Sequence, residues 1–221
     1  MKKALLSLAL TSCLASGALV SSQALAIEGL TANIGATNNY LWRGITQTND
    51  AAAISGGIDY ASDSGFYIGT WASNADWAED MTYELDIYGG FSGELDNGFG
   101  YDLGYIYYNY DDEASSDFSE VYASISYGAF SVSYFTLVDS DADGDFGDDT
   151  YISADAEFEV AKDLTLGLHV GNYDFDAGGD YTEYAVSLSK NGFSFAIADT
   201  DIKSPDGDVN FVVSYSMEFD L

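Results

Sequence analysis

The stretch Val209-Asn210-Phe211-Val212-Val213-Ser214-Tyr215-Ser216-Met217-Glu218-Phe219-Asp220-Leu221 decides the fold. Every second residue from Phe211 is apolar: Phe211, Val213, Tyr215, Met217, Phe219 and Leu221. The intervening residues Val212, Ser214, Ser216, Glu218 and Asp220 are polar after the first. Successive side chains of a strand point to opposite faces, so this alternation predicts a strand with one apolar and one wet side. At about 3.3 Å per residue it can cross a bilayer's hydrocarbon core on a tilt, which takes roughly 9–11 residues.

The same alternation recurs upstream. It is seen in residues 29–43, 52–60, 66–73, 82–91, 99–107, 120–127, 130–134, 152–159, 164–171, 183–189 and 193–197. The connections carry a second rhythm. Short ones (61–65, 92–98, 128–129, 161–163, 190–192) alternate with longer, acidic ones (44–51, 74–80, 111–117, 139–149, 174–180, 200–208). Asn97-Gly98 and Asn191-Gly192 carry hairpin chemistry. A soluble all-β sandwich also alternates along its strands, but it has no reason to alternate short and long connections. An all-β transmembrane barrel does, with turns on one side and loops on the other. The expectation is an antiparallel up-and-down β-barrel of twelve strands, ten being the alternative because the second, third and seventh stretches are weak. An even number puts both termini on the periplasmic side. Closure then pairs the last strand with the first and leaves no edge in lipid. Chains that end on such a strand resemble bacterial outer-membrane barrel proteins, whose last residue is usually aromatic. Here it is Leu221, and the aromatic is Phe219.

Residues 1–26 read as a secretory signal: Lys2 and Lys3, an apolar run, then Ala24-Leu25-Ala26. The single cysteine, Cys13, leaves with it, so residues 27–221 offer neither a disulfide nor a thiolate metal site. The chain has 1 Pro, 23 Gly, 18 Tyr and 13 Phe, which favours strands with aromatic faces over acidic disorder. After removal of the signal, four basic residues minus 37 acidic ones gives a net charge of −33. Such a surface repels nucleic acid. It attracts cations, including divalent ions that bridge anionic lipopolysaccharide; adaptation to a saline habitat is the other reading of the same acidity.

The segment Asn38-Asn39-Tyr40-Leu41-Trp42-Arg43-Gly44-Ile45-Thr46-Gln47-Thr48, with residues 53–60 and 65–73 downstream, resembles the TorF family of porin-like proteins. The resemblance implies an outer-membrane barrel with a channel role and supplies no substrate. If the parity of Leu30, Ala32, Ile34 and Ala36 continues, Tyr40 and Trp42 face lipid at headgroup level, while Asn39 and Arg43 face the lumen. Arg43 is the only arginine, and Asp59 or Glu84 are candidate partners for it. It then either orients a solute across a constriction or rigidifies the wall as a structural ion pair.

By the same parity Asp59, Glu84, Asp86, Asp102, Glu120, Asp155, Glu157, Glu159, Glu183 and Glu218 project inward with Tyr67, Trp71, Tyr88, Tyr108 and Tyr122. Rings of carboxylates favour cations, and a barrel of this strand number has a narrow bore. His169, the only histidine, is expected in the lumen wall between Gly167 and Gly171. No serine can be assigned to it by spacing, so no catalytic residue is expected. Asp139, Asp141, Asp143 and Asp145 with Gly144 copy the start of a calcium loop over residues 139–150. Thr150 stands where its last glutamate belongs, and a solvated acidic loop is the plain alternative. The expected function is a narrow, cation-preferring outer-membrane channel for small solutes, with no cofactor beyond that candidate calcium. The alternative is a closed barrel acting through its acidic outer loops.

Overall fold

A strand with one apolar face must bury its polar backbone groups against neighbours and its polar side chains against water, and a closed ring does both. The computed structural model describes residues 27–111, 116–142, 144–203 and 209–221. The signal-peptide reading of residues 1–26 lies outside them. The strands are β1 (Leu30–Thr37), β2 (Leu41–Trp42), β3 (Ile45–Thr46), β4 (Ala53–Ala61), β5 (Phe66–Asn74), β6 (Tyr83–Glu94), β7 (Phe99–Tyr110), β8 (Phe118–Tyr127), β9 (Phe130–Ser140), β10 (Thr150–Ala161), β11 (Leu164–Asp174), β12 (Tyr181–Lys190), β13 (Phe193–Thr200) and β14 (Asn210–Asp220). β2 and β3 pair only with each other; the other twelve form a closed antiparallel barrel. The seam joins β1 to β14, from Thr31 opposite Asp220 to Thr37 opposite Ser214.

The outer face is apolar. Ile34, Ile58, Ile68, Ile87, Leu103, Ile125, Leu168, Val186 and Ile197 are among its exposed side chains. A continuous belt of this kind is far larger than a water-soluble monomer leaves uncovered. Near the short turns it is edged by aromatic pairs: Phe99 on Tyr127 at 4.6 Å, Phe130 on Phe158 at 6.0 Å and Phe193 on Tyr215 at 4.6 Å. Short turns and long connections alternate as expected. Asn191 and Gly192 both have positive φ (52° and 82°), as a type I′ hairpin requires. At the opposite end the Thr82 hydroxyl, then its backbone N–H, donate to Asp111 and hold that carboxylate below its ordinary range.

On the inner wall of β5–β8, tyrosines stand opposite glycines. Tyr67 faces Gly90, Tyr88 faces Gly69 and Tyr122 faces Gly104 across the ladder. A Cβ at any of these glycines would run into the opposing ring, so the missing side chains let large rings lie along the wall.

The first strand is shorter than its alternation suggests. It ends at Thr37 and not at Arg43. The Asn38 side chain donates from Nδ2 to the Phe211 carbonyl (3.0 Å), and its Oδ1 accepts from the Val213 N–H (2.6 Å). The Asn38 N–H still donates to the Val213 carbonyl (3.2 Å), so the side chain stands in for the backbone carbonyl at the last rung, and the backbone leaves the wall beyond it. Residues 38–52 turn into the barrel, so the expected outer loop 44–51 is an inward hairpin.

Replacing Val186, midway along β12 on the outer face, with Arg should cost about 2–4 kcal/mol, against about 0–1 kcal/mol for Val160→Arg near the short-turn end. Urea titration of the barrel in lipid vesicles measures both; equal costs would place the belt elsewhere.

Candidate functional site

Thr37 and Ala53 are direct partners in the β1–β4 ladder, so a two-residue turn would connect these strands. The chain instead sends residues 38–52 into the lumen, and that excursion builds the site. Its core is the β2–β3 hairpin, with Leu41 opposite Thr46 and Trp42 opposite Ile45. The turn between them is Arg43-Gly44, with φ of 47° and 81°. Positive φ at both central positions is the type I′ requirement. For arginine this conformation costs roughly 1–2 kcal/mol, so something must hold it there.

Glu120 holds it. Arg43 Nη1 and Nη2 donate to Oε1 and Oε2 at 2.9 and 2.6 Å, a bidentate pair that leaves 4% of the arginine side chain and 1% of the glutamate exposed. Such a fork is among the strongest side-chain pairings. Glu120 also accepts from the Tyr108 hydroxyl (3.1 Å). Four rings surround the guanidinium, with centroids 4.2 Å (Tyr151), 4.3 Å (Trp42), 4.8 Å (Tyr173) and 5.0 Å (Phe135) from Cζ. Tyr181 donates to the Arg43 carbonyl at 2.9 Å. At Gly44 a Cβ would meet both Glu183 and Thr200 at 2.9 Å.

The rest of the excursion braces against the wall all round. Tyr40 donates to Glu84 (3.0 Å) and packs edge-on to Trp71. Leu41 sits among Ala196, Ala198 and Val212. Trp42 meets Tyr108, Phe118 and Tyr173 edge-on. Asn39 donates to Asp50 and Asn210, and the Asp76 N–H donates to the Gln47 carbonyl (2.7 Å). The excursion therefore touches inner wall from β5 to β14, and its side chains occupy lumen space at this level.

Tyr40 and Trp42, expected in a lipid-facing belt, are thus inside, because the peeling at Asn38 ends the parity on which that expectation stood. Arg43 faces inward, with Glu120 as its partner in place of Asp59 or Glu84. Asp59 accepts from Asn33 and Tyr88. Glu84 and Asp86 lie side by side on β6, nearly wholly buried, and Asp102 accepts from Tyr67 (2.7 Å). Glu84 Oε2, Asp86 Oδ1 and Asp102 Oδ2 are buried without a hydrogen-bond partner, an arrangement that is costly for a carboxylate. His169 lies between acids: Nδ1 is 2.6 Å from Asp155, and Nε2 is 3.2 Å from the Tyr151 hydroxyl and 3.3 Å from Glu183. Tyr151 also donates to Glu183 (2.6 Å). Glu157, Glu159 and Glu218 share the inward parity on the side of the short turns, with Glu157 and Glu159 exposed.

In the candidate calcium loop Asp143 lies outside the described residues. Asp139 ends near the tip of β9, the Asp141 N–H donates to the Asp117 carbonyl, and the Asp145 N–H donates to Asp148. Among the described residues no three metal-ligating side chains converge. The sequence reading passed over Phe135, Tyr151, Tyr173 and Tyr181. The parity of Tyr151-Ile152-Ser153 carried the signal for Tyr151, since Ile152 points outward.

A family model described as "Bacterial protein of unknown function (Gcw_chp)" matches residues 22–217. The match carries that description and not the name TorF. Comparison with curated proteins found no match. Among solved structures, a KdgM porin is similar at 10% identity over 86% of this chain and 99% of that one, with a TM-score of 0.57. A KdgM porin in complex with disordered oligogalacturonate follows at 10% identity, 86% and 96% coverage and a TM-score of 0.52. A third, described as "Unveiling the Mechanism Behind the in-meso Crystallization of Membrane Proteins", has 6% identity, 87% and 83% coverage and a TM-score of 0.57. At such identities the likeness is one of fold.

Glu120→Gln leaves a buried guanidinium without its charge partner and should destabilise the barrel by about 3–5 kcal/mol, read as a lowered urea midpoint in detergent. Asp96→Asn, in an exposed short turn, should stay within about 0.5 kcal/mol of wild type. Gly44→Ala should also lower the midpoint, through its positive φ and its contacts with Glu183 and Thr200.

Proposed function

The chain belongs to the Gcw_chp family of bacterial proteins of unknown function, and we propose that it is a narrow, cation-preferring outer-membrane channel for small solutes. The observation that carries this reading is the division of the barrel into an apolar outside and a lumen whose inward-facing wall keeps Asp59, Glu157, Glu159 and Glu218 accessible to water. Fixed carboxylates in a confined space raise the local concentration of cations and lower that of anions. The likeness to KdgM porins supports the class of barrel. The acidic wall argues against a polyanion such as oligogalacturonate as cargo here.

In this reading the belt sits in the outer membrane of a Gram-negative bacterium. The termini and short turns face the periplasm. The acidic loops face outward, where divalent cations can bridge them to lipopolysaccharide. Solutes pass the level of the hairpin, whose bracing residues set the bore.

A second reading is favoured by how much of the lumen that hairpin occupies. Here the barrel is closed and acts through its outer loops, with calcium held by Asp139, Asp141, Asp143 and Asp145. The two part in a planar bilayer under a salt gradient. The channel reading expects discrete conductance with a reversal potential of cation-selective sign. It also expects conductance several-fold higher when residues 39–50 are replaced by a two-residue Asn-Gly turn joining β1 to β4. An anion-selective sign would refute the preference. Silence of both forms would refute the channel and leave the second reading, which expects loss of calcium binding on deletion of residues 139–149.

A further inference from the structure

The pocket that holds the Arg43 side chain is built as a receptor for a planar cation. Its floor is Glu120, presenting both oxygens to both terminal nitrogens of the guanidinium. Its walls are Tyr151, Tyr173, Phe135 and Trp42, all within 5.0 Å of Cζ. Three of these rings, and Glu120, belong to the barrel wall. Only Trp42 and the cation itself arrive on the hairpin. A desolvated aromatic cage over a carboxylate fork is how proteins bind organic cations from solution, and the two-oxygen fork selects a guanidinium over the point charge of an ammonium.

The occupant, moreover, is not needed to connect the strands around it. Thr37 and Ala53 are already partners, and Arg43 sits at a left-handed turn position that arginine resists. We infer that the cage formed by Glu120, Phe135, Tyr151 and Tyr173 is a binding site for small guanidinium-bearing solutes, which Arg43 fills as a tethered surrogate. A free guanidinium that displaces it takes over the fork to Glu120 and removes the ion pair that anchors the hairpin tip, which the Tyr181 hydrogen bond and the Trp42 ring contacts then hold without it. Because the tether keeps Arg43 at a local concentration on the order of millimolar, the solute competes only when abundant. As a binding site the cage stands on its own geometry; as a solute-operated gate it rests on the channel reading.

The test uses the full mature chain folded in detergent, with methylguanidinium as probe and isothermal titration calorimetry as readout. Arg43→Ala, which empties the cage, should bind methylguanidinium saturably and at least about tenfold more tightly than wild type, the margin that removal of a tethered competitor gives. Urea, planar and of similar size but neutral, should not bind. Adding Glu120→Gln to Arg43→Ala should abolish the gain. If Arg43→Ala does not give the heat-modifiable barrel on a gel, Arg43→Met keeps the apolar stem and takes its place. Equal affinity in the single and double variants, or in Arg43→Ala and wild type, overturns the site. In planar bilayers, methylguanidinium but not potassium should raise wild-type conductance several-fold. Binding in the variant with a silent bilayer would sink the channel reading and leave the site standing; conductance with no binding would do the reverse.

Discussion

Hydrocarbon offers no partners to a peptide group, so a sheet surrounded by it has to end where it begins. In this chain that condition rests on β1 and β14, whose seven paired positions from Thr31–Asp220 to Thr37–Ser214 close the ring. Once the ring is closed, the two faces of every strand have fixed duties. Leu168 and Val186 share the outer face as ladder partners, and Gly167 and Ser187 share the inner one. The strongly acidic composition then has two places to go, the loops and the lumen, and the chain uses both.

The lumen is where the energetic conflict lies. Carboxylates such as Glu84, Asp86 and Glu120 are almost fully withdrawn from solvent, and burying charge is expensive unless it is paired. A single guanidinium answers part of that demand, at Glu120. Tyrosine hydroxyls answer more of it: Tyr40 to Glu84, Tyr67 to Asp102, Tyr151 to Glu183. Tyrosine suits the task because its ring packs along the wall while its hydroxyl reaches an acid. The glycines opposite Tyr67, Tyr88 and Tyr122 make room for this without thickening the wall.

The barrel was legible in the sequence because its physical cause is periodic. Two-residue alternation and the rhythm of short and long connections both follow from crossing a slab of hydrocarbon repeatedly, and no other constraint produces them together. The hairpin was not legible, for the same reason. Tyr40 and Trp42 keep the parity of Leu30, Ala32, Ile34 and Ala36 despite Asn38 between them, so parity alone carries the strand on past Thr37. The two departures from pattern are subtle. Asn38 puts its side chain in place of its own carbonyl at the last rung, and Arg43-Gly44 occupies a turn usually marked by Asn-Gly. Parity also tells which face a residue takes but not how high it sits or which strand it meets across the lumen. Glu120 is 77 residues from Arg43, and nothing local in either segment names the other. The aromatic box around the guanidinium assembles from β9, β10 and β11, and it becomes visible only when those strands curve round to face β2.

The placement of the seam bears on how the molecule comes into being. Its two halves, β1 and β14, stand at opposite ends of the strand order, so no smaller set of these strands can satisfy its own margins. The insert that braces the interior follows directly after the first of those halves. Assembly is thereby made all-or-none: the open sheet must be kept from clumping until β14 meets β1.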